Sequence, residues 1–255
     1  MASLEASIAS VNYPHQIRGT HASLSALRCD LSSTGVKKIL AAITATIVGL
    51  GIAREIYLFS FGPDTILHRL QPLNLDAEMS AGAWFASLLL LICGVLPALI
   101  AVACKSQADR WTRYWFGLAA AFLYLSIDEI AGLHERTGRV FQAIFHQTGD
   151  LYFLWTIPMG ILVLVFAAVY IRFLLALPRQ VAVLLILSGA IFVTGAIGFE
   201  LAGSYFYRTQ GIDAVSYSIC VVLEEGMEFI GALLFASTLL DYIKARFGGA
   251  AIRLS

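Results

Sequence analysis

Ten ionisable residues lie within, or at the ends of, strongly apolar segments in which charged side chains are rare. They are Arg54, Glu55, Asp128, Glu129, His134, Glu135, Glu200, Glu224, Glu225 and Glu228. A charge at the centre of a bilayer costs about 2.5–3.5 kcal/mol on insertion scales, so such residues usually face a bundle interior, a partner or a bound ion. Eight acids against one arginine and one histidine exceed what simple ion pairing explains. The excess indicates a site rather than a membrane anchor.

Carboxylates and a histidine contributed by several helices are typical of a metal centre. Such side chains form the sites of di-iron and di-manganese bundles, and an all-oxygen shell suits Mg²⁺, Mn²⁺ or Ca²⁺, whereas Zn²⁺ or Fe²⁺ would use the imidazole. We therefore predict a divalent metal ion as cofactor, although the sequence has no true Glu-x-x-His spacing. The predicted ligands are Asp128, Glu129, His134, Glu135, Glu200, Glu224, Glu225 and Glu228.

The predicted chemistry is metal-assisted hydrolysis or oxidation of a lipid-like substrate that enters from the bilayer, with one carboxylate as the general base for a metal-bound water. Two other functions stay open. Intramembrane acids also mark proton relays and cation paths, which would make the protein a proton- or cation-coupled transporter. The acids could instead hold helices together, or bind a partner, in an accessory subunit of a larger membrane complex. The almost wholly apolar inner halves of the predicted spans favour a site open to one side.

The composition shows which elements must position these residues. The chain is 59% hydrophobic and 13% charged, with a mean hydropathy of +0.79. Because a soluble domain carries about 25% charged residues, this composition is typical of a multi-pass membrane protein. The net charge is zero and no long basic block occurs, which argues against nucleic-acid binding. The 36 residues before the first apolar run lack the continuous apolar region of a cleaved signal peptide.

Six apolar segments are each long enough, at about 20 residues, to cross a hydrocarbon core. We predict an all-α polytopic bundle with six transmembrane helices in residues 37–245. A polar tail of residues 1–36 and a short tail of residues 246–255 flank it. The helices are predicted near 38–60, 81–104, 113–135, 152–176, 180–204 and 216–241.

Lysine and arginine residues are distributed very unequally between the two sides of the predicted bundle. Twelve lie on the side of the termini and four on the other side. The positive-inside rule therefore places both termini in the cytoplasm, in the style of a bacterial inner-membrane protein. In this orientation the ten ionisable residues fall in the outer halves of the first, third, fifth and sixth spans. Their shared depth favours one common site.

Helical phase refines the prediction. At about 100° per residue, Glu224, Glu225 and Glu228 share one stripe, and Tyr217 on the same face could donate a hydrogen bond. On the third span Glu129 is predicted to point away from the stripe that holds Asp128.

Two other features concern neighbouring helices. Arg54 is predicted to be the counter-ion of a carboxylate on another helix, because adjacent residues such as Glu55 do not face each other on one helix. A ridge of small residues with a period of four is predicted to let a neighbouring backbone approach the fifth span. Its members are Ala190, Thr194, Gly198 and Ala202.

Ser126, Asp128 and His134 are similar in kind to the set in alkaline ceramidase-like membrane hydrolases. That resemblance implies an intramembrane metal held by histidines, with a serine and an aspartate nearby. This chain departs from the pattern, because it has six predicted spans rather than seven and carries Glu224 and Glu228 where a late HxxxH would stand. The activity of that family is therefore not transferred, and Ser126 is better explained as a hydroxyl that packs between helices.

Overall fold

The computed structural model describes residues 33–62, 66, 70–77, 79–134, 136–138, 140 and 155–247. Its architecture is all-helical and each predicted segment forms a helix. The six long helices are α1 (Ser33–Phe61), α2 (Ala81–Ser106), α3 (Thr112–Ala131), α4 (Thr156–Ala176), α5 (Arg179–Gln210) and α6 (Val215–Phe247). Four of them, α1, α2, α4 and α5, are long and apolar enough to cross a membrane. The remaining two, α3 and α6, carry most of the acids.

Several helix ends differ from the prediction, among them the end of α5, which continues to Gln210 instead of ending near residue 204. Helix α1 begins at Ser33, within the predicted N-terminal tail, whose residues 1–32 lie outside the described residues. Helix α6 continues to Phe247, and the rest of the predicted C-terminal tail is likewise outside them. Helix α3 stops at Ala131 because Gly132 takes a left-handed conformation with φ 55°, the usual way in which glycine ends a helix.

Helix α2 forms the centre of the bundle and packs most closely against α3. A Cβ atom at Gly94 would lie 3.2 Å from the carbonyl oxygen of Ala119, so only glycine permits this approach without a shift. Nearby, Ser87 Oγ donates to the Ser126 carbonyl (2.7 Å) and Ser126 Oγ donates to the Ser87 carbonyl (2.9 Å). We call this contact the α2–α3 seam. It confirms that Ser126 is a packing hydroxyl.

At the end of the bundle where α6 finishes, one ion pair fixes the turn between α2 and α3. Asp109 accepts hydrogen bonds from the backbone N–H of Trp111 (2.8 Å) and from Arg246 Nη2 on α6 (2.7 Å). The Trp111 N–H is the main cause that lowers the pKa of Asp109 below its ordinary value. Burial opposes this shift, and the Arg246 guanidinium adds to it.

Helix α5 contains a π-helical segment, Thr194–Phe199, where it packs against α6. A Cβ atom at Gly195 would lie 2.8 Å from the carbonyl oxygen of Glu224, so this glycine permits the close approach. The prediction of the small-residue ridge is wrong in its phase. Thr194 and Gly198 are exposed, because the wider π turn shifts the contact face to Gly195.

Helix α4 packs much more loosely than α2. It buries only Thr156, Tyr170 and Phe173, and Leu164 and Leu175 are more than 70% exposed. A wide gap therefore remains between α4 and the helices on its inner side.

Candidate functional site

The gap beside α4 is a cavity of about 930 Å³ whose walls come from α2, α3, α4, α5, α6 and the connector before α2. Its two ends differ in chemistry. The acidic end is lined by Asp76, Asp128, Glu129, Glu200, Glu224, Glu225 and Glu228, together with His134. The apolar end is lined by Leu118, Leu174, Leu185 and Phe235, with Tyr170 among them. From Glu224 to Phe235 the rise along α6 is about 16 Å, so the two ends are well separated.

The structure brings most of the predicted site residues to this one cavity. Seven of the eight predicted ligands line it, and Glu135 lies outside the described residues. Glu129 faces the same cavity as Asp128, so the prediction that it points elsewhere is wrong. Of these two side chains, Asp128 is the more deeply buried.

His134 is held on Asp128 by the break that ends α3. Because Gly132 is left-handed, the chain turns back, and the backbone N–H of His134 donates to Asp128 Oδ1 at 2.9 Å. The imidazole Nδ1 of His134 lies 3.1 Å from Asp128 Oδ2. Two contacts to one carboxylate fix both the position and the ring orientation of the histidine. The sequence spacing of six residues gave no sign of this pairing.

Trp155 connects the histidine to the acid of α5. Its ring packs against His134 with centroids 4.8 Å apart, and its Nε1–H donates to Glu200 Oε1 at 3.2 Å. Trp155 therefore forms part of the wall of the acidic end. An indole N–H aimed at a carboxylate is a contact that composition alone does not reveal.

Asp76 is the site residue that sequence reasoning missed. It lies in the connector before α2 and accepts a hydrogen bond from Tyr217 Oη of α6 at 3.0 Å. The prediction that Tyr217 could donate a hydrogen bond on this face is therefore confirmed, although its acceptor is Asp76. The only signal in the sequence was the position of Asp76 in a short connector at the same end as the other acids.

The three glutamates of α6 face acids on two other elements. Glu224 shares a hydrogen bond with Glu200 of α5, and Glu225 and Glu228 interact with Glu129 of α3. The close approach at Gly195 brings α5 near enough for the first of these contacts.

Arg54 forms a separate unit that does not line the cavity. Its Nη1 pairs with the adjacent Glu55 and donates to Asn74 Oδ1 at 3.3 Å, and Glu55 also accepts from Ser218 Oγ at 3.1 Å. The prediction that Glu55 could not face Arg54 is wrong, because two long side chains at the end of α1 can bend toward each other. This unit ties α1 to α6 beside the acidic end.

Among the described residues, no group of three or more His, Cys, Asp or Glu side chains has an arrangement that could hold a metal ion. Several of the carboxylates are instead engaged by protein donors, as Asp128 is by His134, Glu200 by Trp155 and Asp76 by Tyr217. Metal binding at the eight predicted ligands therefore stays a prediction that the described geometry does not support.

The fold and the cavity together define a class: an all-helical, membrane-type bundle with an internal cavity that is acidic at one end and apolar at the other. The chain belongs to the family described as Domain of unknown function (DUF8692), which matches residues 40–243. The match includes all six helices, at least in large part, and every acid of the cavity. No curated protein and no solved structure shows significant similarity to the chain.

Proposed function

We propose that this is an integral membrane protein that binds a lipid-like, amphiphilic molecule in the cavity between α3, α4, α5 and α6. The apolar part of the molecule would lie along α4 toward Leu174 and Leu185. Its polar group would lie among the carboxylates and His134. This proposal retains the lipid-like substrate predicted from the sequence and adds a proposed position for it.

One observation carries the proposal, namely the division of a single continuous cavity into a polar and an apolar end. Its volume of about 930 Å³ lies near the upper limit of the range of about 300–1,000 Å³ that is typical of ligand sites. The loosely packed α4 supports entry from the bilayer, because moving it breaks few buried contacts. An ion would gain nothing from the apolar end, which is why amphiphile binding accounts for the cavity better than proton or cation transport does.

In the membrane, we propose six spans with both termini in the cytoplasm of a bacterial cell. The bias of twelve basic residues against four supports this orientation. The lengths of α3 and α6, at 20 and 33 residues, support counting them as spans despite their acids. The acidic end of the cavity would then lie toward the outer face.

Two glycines provide a matched test of amphiphile binding. Gly189 lines the cavity and Gly160 does not, and an added Cβ at either position meets nothing within 4 Å. We expect Gly189→Phe to fill part of the cavity and to remove the amphiphile that co-purifies with the wild type. Gly160→Phe should retain it. The measurement is mass spectrometry of solvent extracts from the purified full chain, normalised to protein. Equal amounts in both variants would contradict the proposal.

Hydrolysis of the bound molecule is a second candidate function, favoured by the Asp128–His134 pair. A histidine that a buried carboxylate orients is well placed to act as a general base. In ester hydrolysis, His134 would take a proton from water as the water oxygen attacks the carbonyl carbon, and the alcohol would leave with that proton. With 4-nitrophenyl dodecanoate, His134→Gln should abolish nitrophenol release and Ser126→Ala should not. No release by the wild type would count against this candidate.

A further inference from the structure

We propose that the acidic end of the cavity selects a cationic headgroup, so that the bound amphiphile is a long-chain ammonium compound. This inference rests on the proposed binding of an amphiphile and adds the charge of its polar group.

The charge balance of the cavity lining carries the inference. Seven acids and one histidine line the cavity, whereas no lysine or arginine does so among the residues that the structure describes. Arg54, the basic side chain of the neighbouring unit, already pairs with Glu55. A negatively charged phosphate headgroup would meet repulsion from the carboxylates, and no arginine fork is present in the described lining to hold it.

Aromatic rings at the same end strengthen the preference for a cation. Trp155, Tyr207 and Tyr217 line the cavity beside the acids. Ring faces attract ammonium groups, by roughly 0.5–1 kcal/mol at exposed sites and about 2 kcal/mol where water is excluded. A neutral alcohol would gain neither this attraction nor the attraction to the carboxylates.

The position of the acids relative to the apolar end determines the shape of the ligand. Glu228 on α6 is only one helical turn from Gly231 and Ala232, where the lining becomes apolar. A cation attached directly to an alkyl chain fits this short transition. A headgroup carrying several sugars would have to extend past all three glutamates of α6.

The test compares two radiolabelled probes with the same chain, dodecyltrimethylammonium and dodecanol. Each is titrated against the full chain in phosphatidylcholine nanodiscs with EDTA present, and binding to empty nanodiscs is subtracted. The ammonium probe carries a permanent charge, so its protonation does not vary. We expect it to bind at least about tenfold more tightly than dodecanol.

The double variant Glu225→Gln/Glu228→Gln should reduce this preference to less than about threefold, because it removes two of the carboxylates that attract the cation. Asp213→Asn is the matched control, because Asp213 is an exposed acid on the loop between α5 and α6 and does not line the cavity. It should keep the full preference.

The outcomes separate this inference from the function on which it rests. Equal affinities of the two probes for the wild type would overturn the cationic preference and leave amphiphile binding intact. Binding of neither probe above empty nanodiscs would overturn both. A full preference in the glutamine double variant would show that the α6 acids do not select the headgroup.

Discussion

The α2–α3 seam and the acidic end of the cavity meet on one helix, only two residues apart, yet they are built in opposite ways. At the seam, Ser126 exchanges hydrogen bonds with Ser87 and Gly94 permits close packing, so every polar group has a short-range partner. At the cavity, Asp128 is held by His134, yet it lines one space together with Glu129 and five further acids. One face of α3 thus favours stability, and the other concentrates like charges at a cost in stability.

This contrast is informative because charges of one sign rarely accumulate in a packed interior. Burying carboxylates together costs desolvation and repulsion, which natural sequences accept mainly at functional sites. A role in packing alone would not require seven acids to line one cavity that no lysine or arginine of the described residues lines. The two regions are therefore expected to respond differently to mutation.

The largest effect is expected in the buried part of α2, on the face that packs against α6. Leu89 is fully buried, and Leu89→Ala should lower the free energy of unfolding by about 2–5 kcal/mol because it leaves a cavity in a closely packed region. Chemical unfolding of the full chain in detergent measures the loss. Amphiphile binding per folded molecule should be unchanged. A loss below that range would mean that the buried face of α2 is not more tightly packed than the walls of the cavity.

A smaller loss of stability is expected at Gly132, the glycine that ends α3 beside the acidic end of the cavity. Gly132→Ala places a side chain at φ 55° and should cost about 1–2 kcal/mol. The strain should also loosen His134 from Asp128, which a change in the NMR shift of the imidazole would detect. Gly160→Ala, near the start of α4, is the control and should not destabilise the protein, because an added Cβ there meets open space. Equal unfolding energies for the two variants would contradict the assigned role of Gly132.

At the acidic end we do not expect the substitutions to lower the free energy of unfolding. Glu225→Gln or Glu228→Gln removes one of several neighbouring carboxylates, and we expect each to leave stability unchanged or to raise it by up to about 1 kcal/mol. Thermal unfolding of the wild type and both variants, side by side, measures the change. A loss of more than about 2 kcal/mol would show that the acids form a structural network.

The smallest effect concerns Asp109, far from the cavity. Because its pKa is lowered in the folded state, the unfolded chain binds the proton more readily, and the stabilisation is present above the ordinary value of 3.8 and lost as the pH falls below it. Asp109→Asn should cost about 0.5 kcal/mol at neutral pH. The difference from the wild type should disappear in acid. A difference that persists unchanged at low pH would contradict this explanation.

The sequence could predict the helices and most of the residues at the site, because both depend on local signals. Apolar runs of about 20 residues define α1 to α6, and acids such as Glu224 and Glu228 share a face through the period of the helix. The features that the sequence could not predict arise where the helices depart from regular α-helical geometry. The left-handed Gly132 returns His134 to Asp128, and the π segment at Gly195 shifts the contact face of α5. Neither follows from a helical period of 3.6.

The most direct test of amphiphile binding is a crystal structure of the full chain grown from a lipid phase. The proposal predicts one elongated feature of electron density that runs from the α6 glutamates to the level of Leu185 and Phe235, with its polar end within hydrogen-bonding distance of a carboxylate. A cavity filled with ordered water along its whole length would contradict the proposal. So would an α4 packed against α3 and α5 without any space between them.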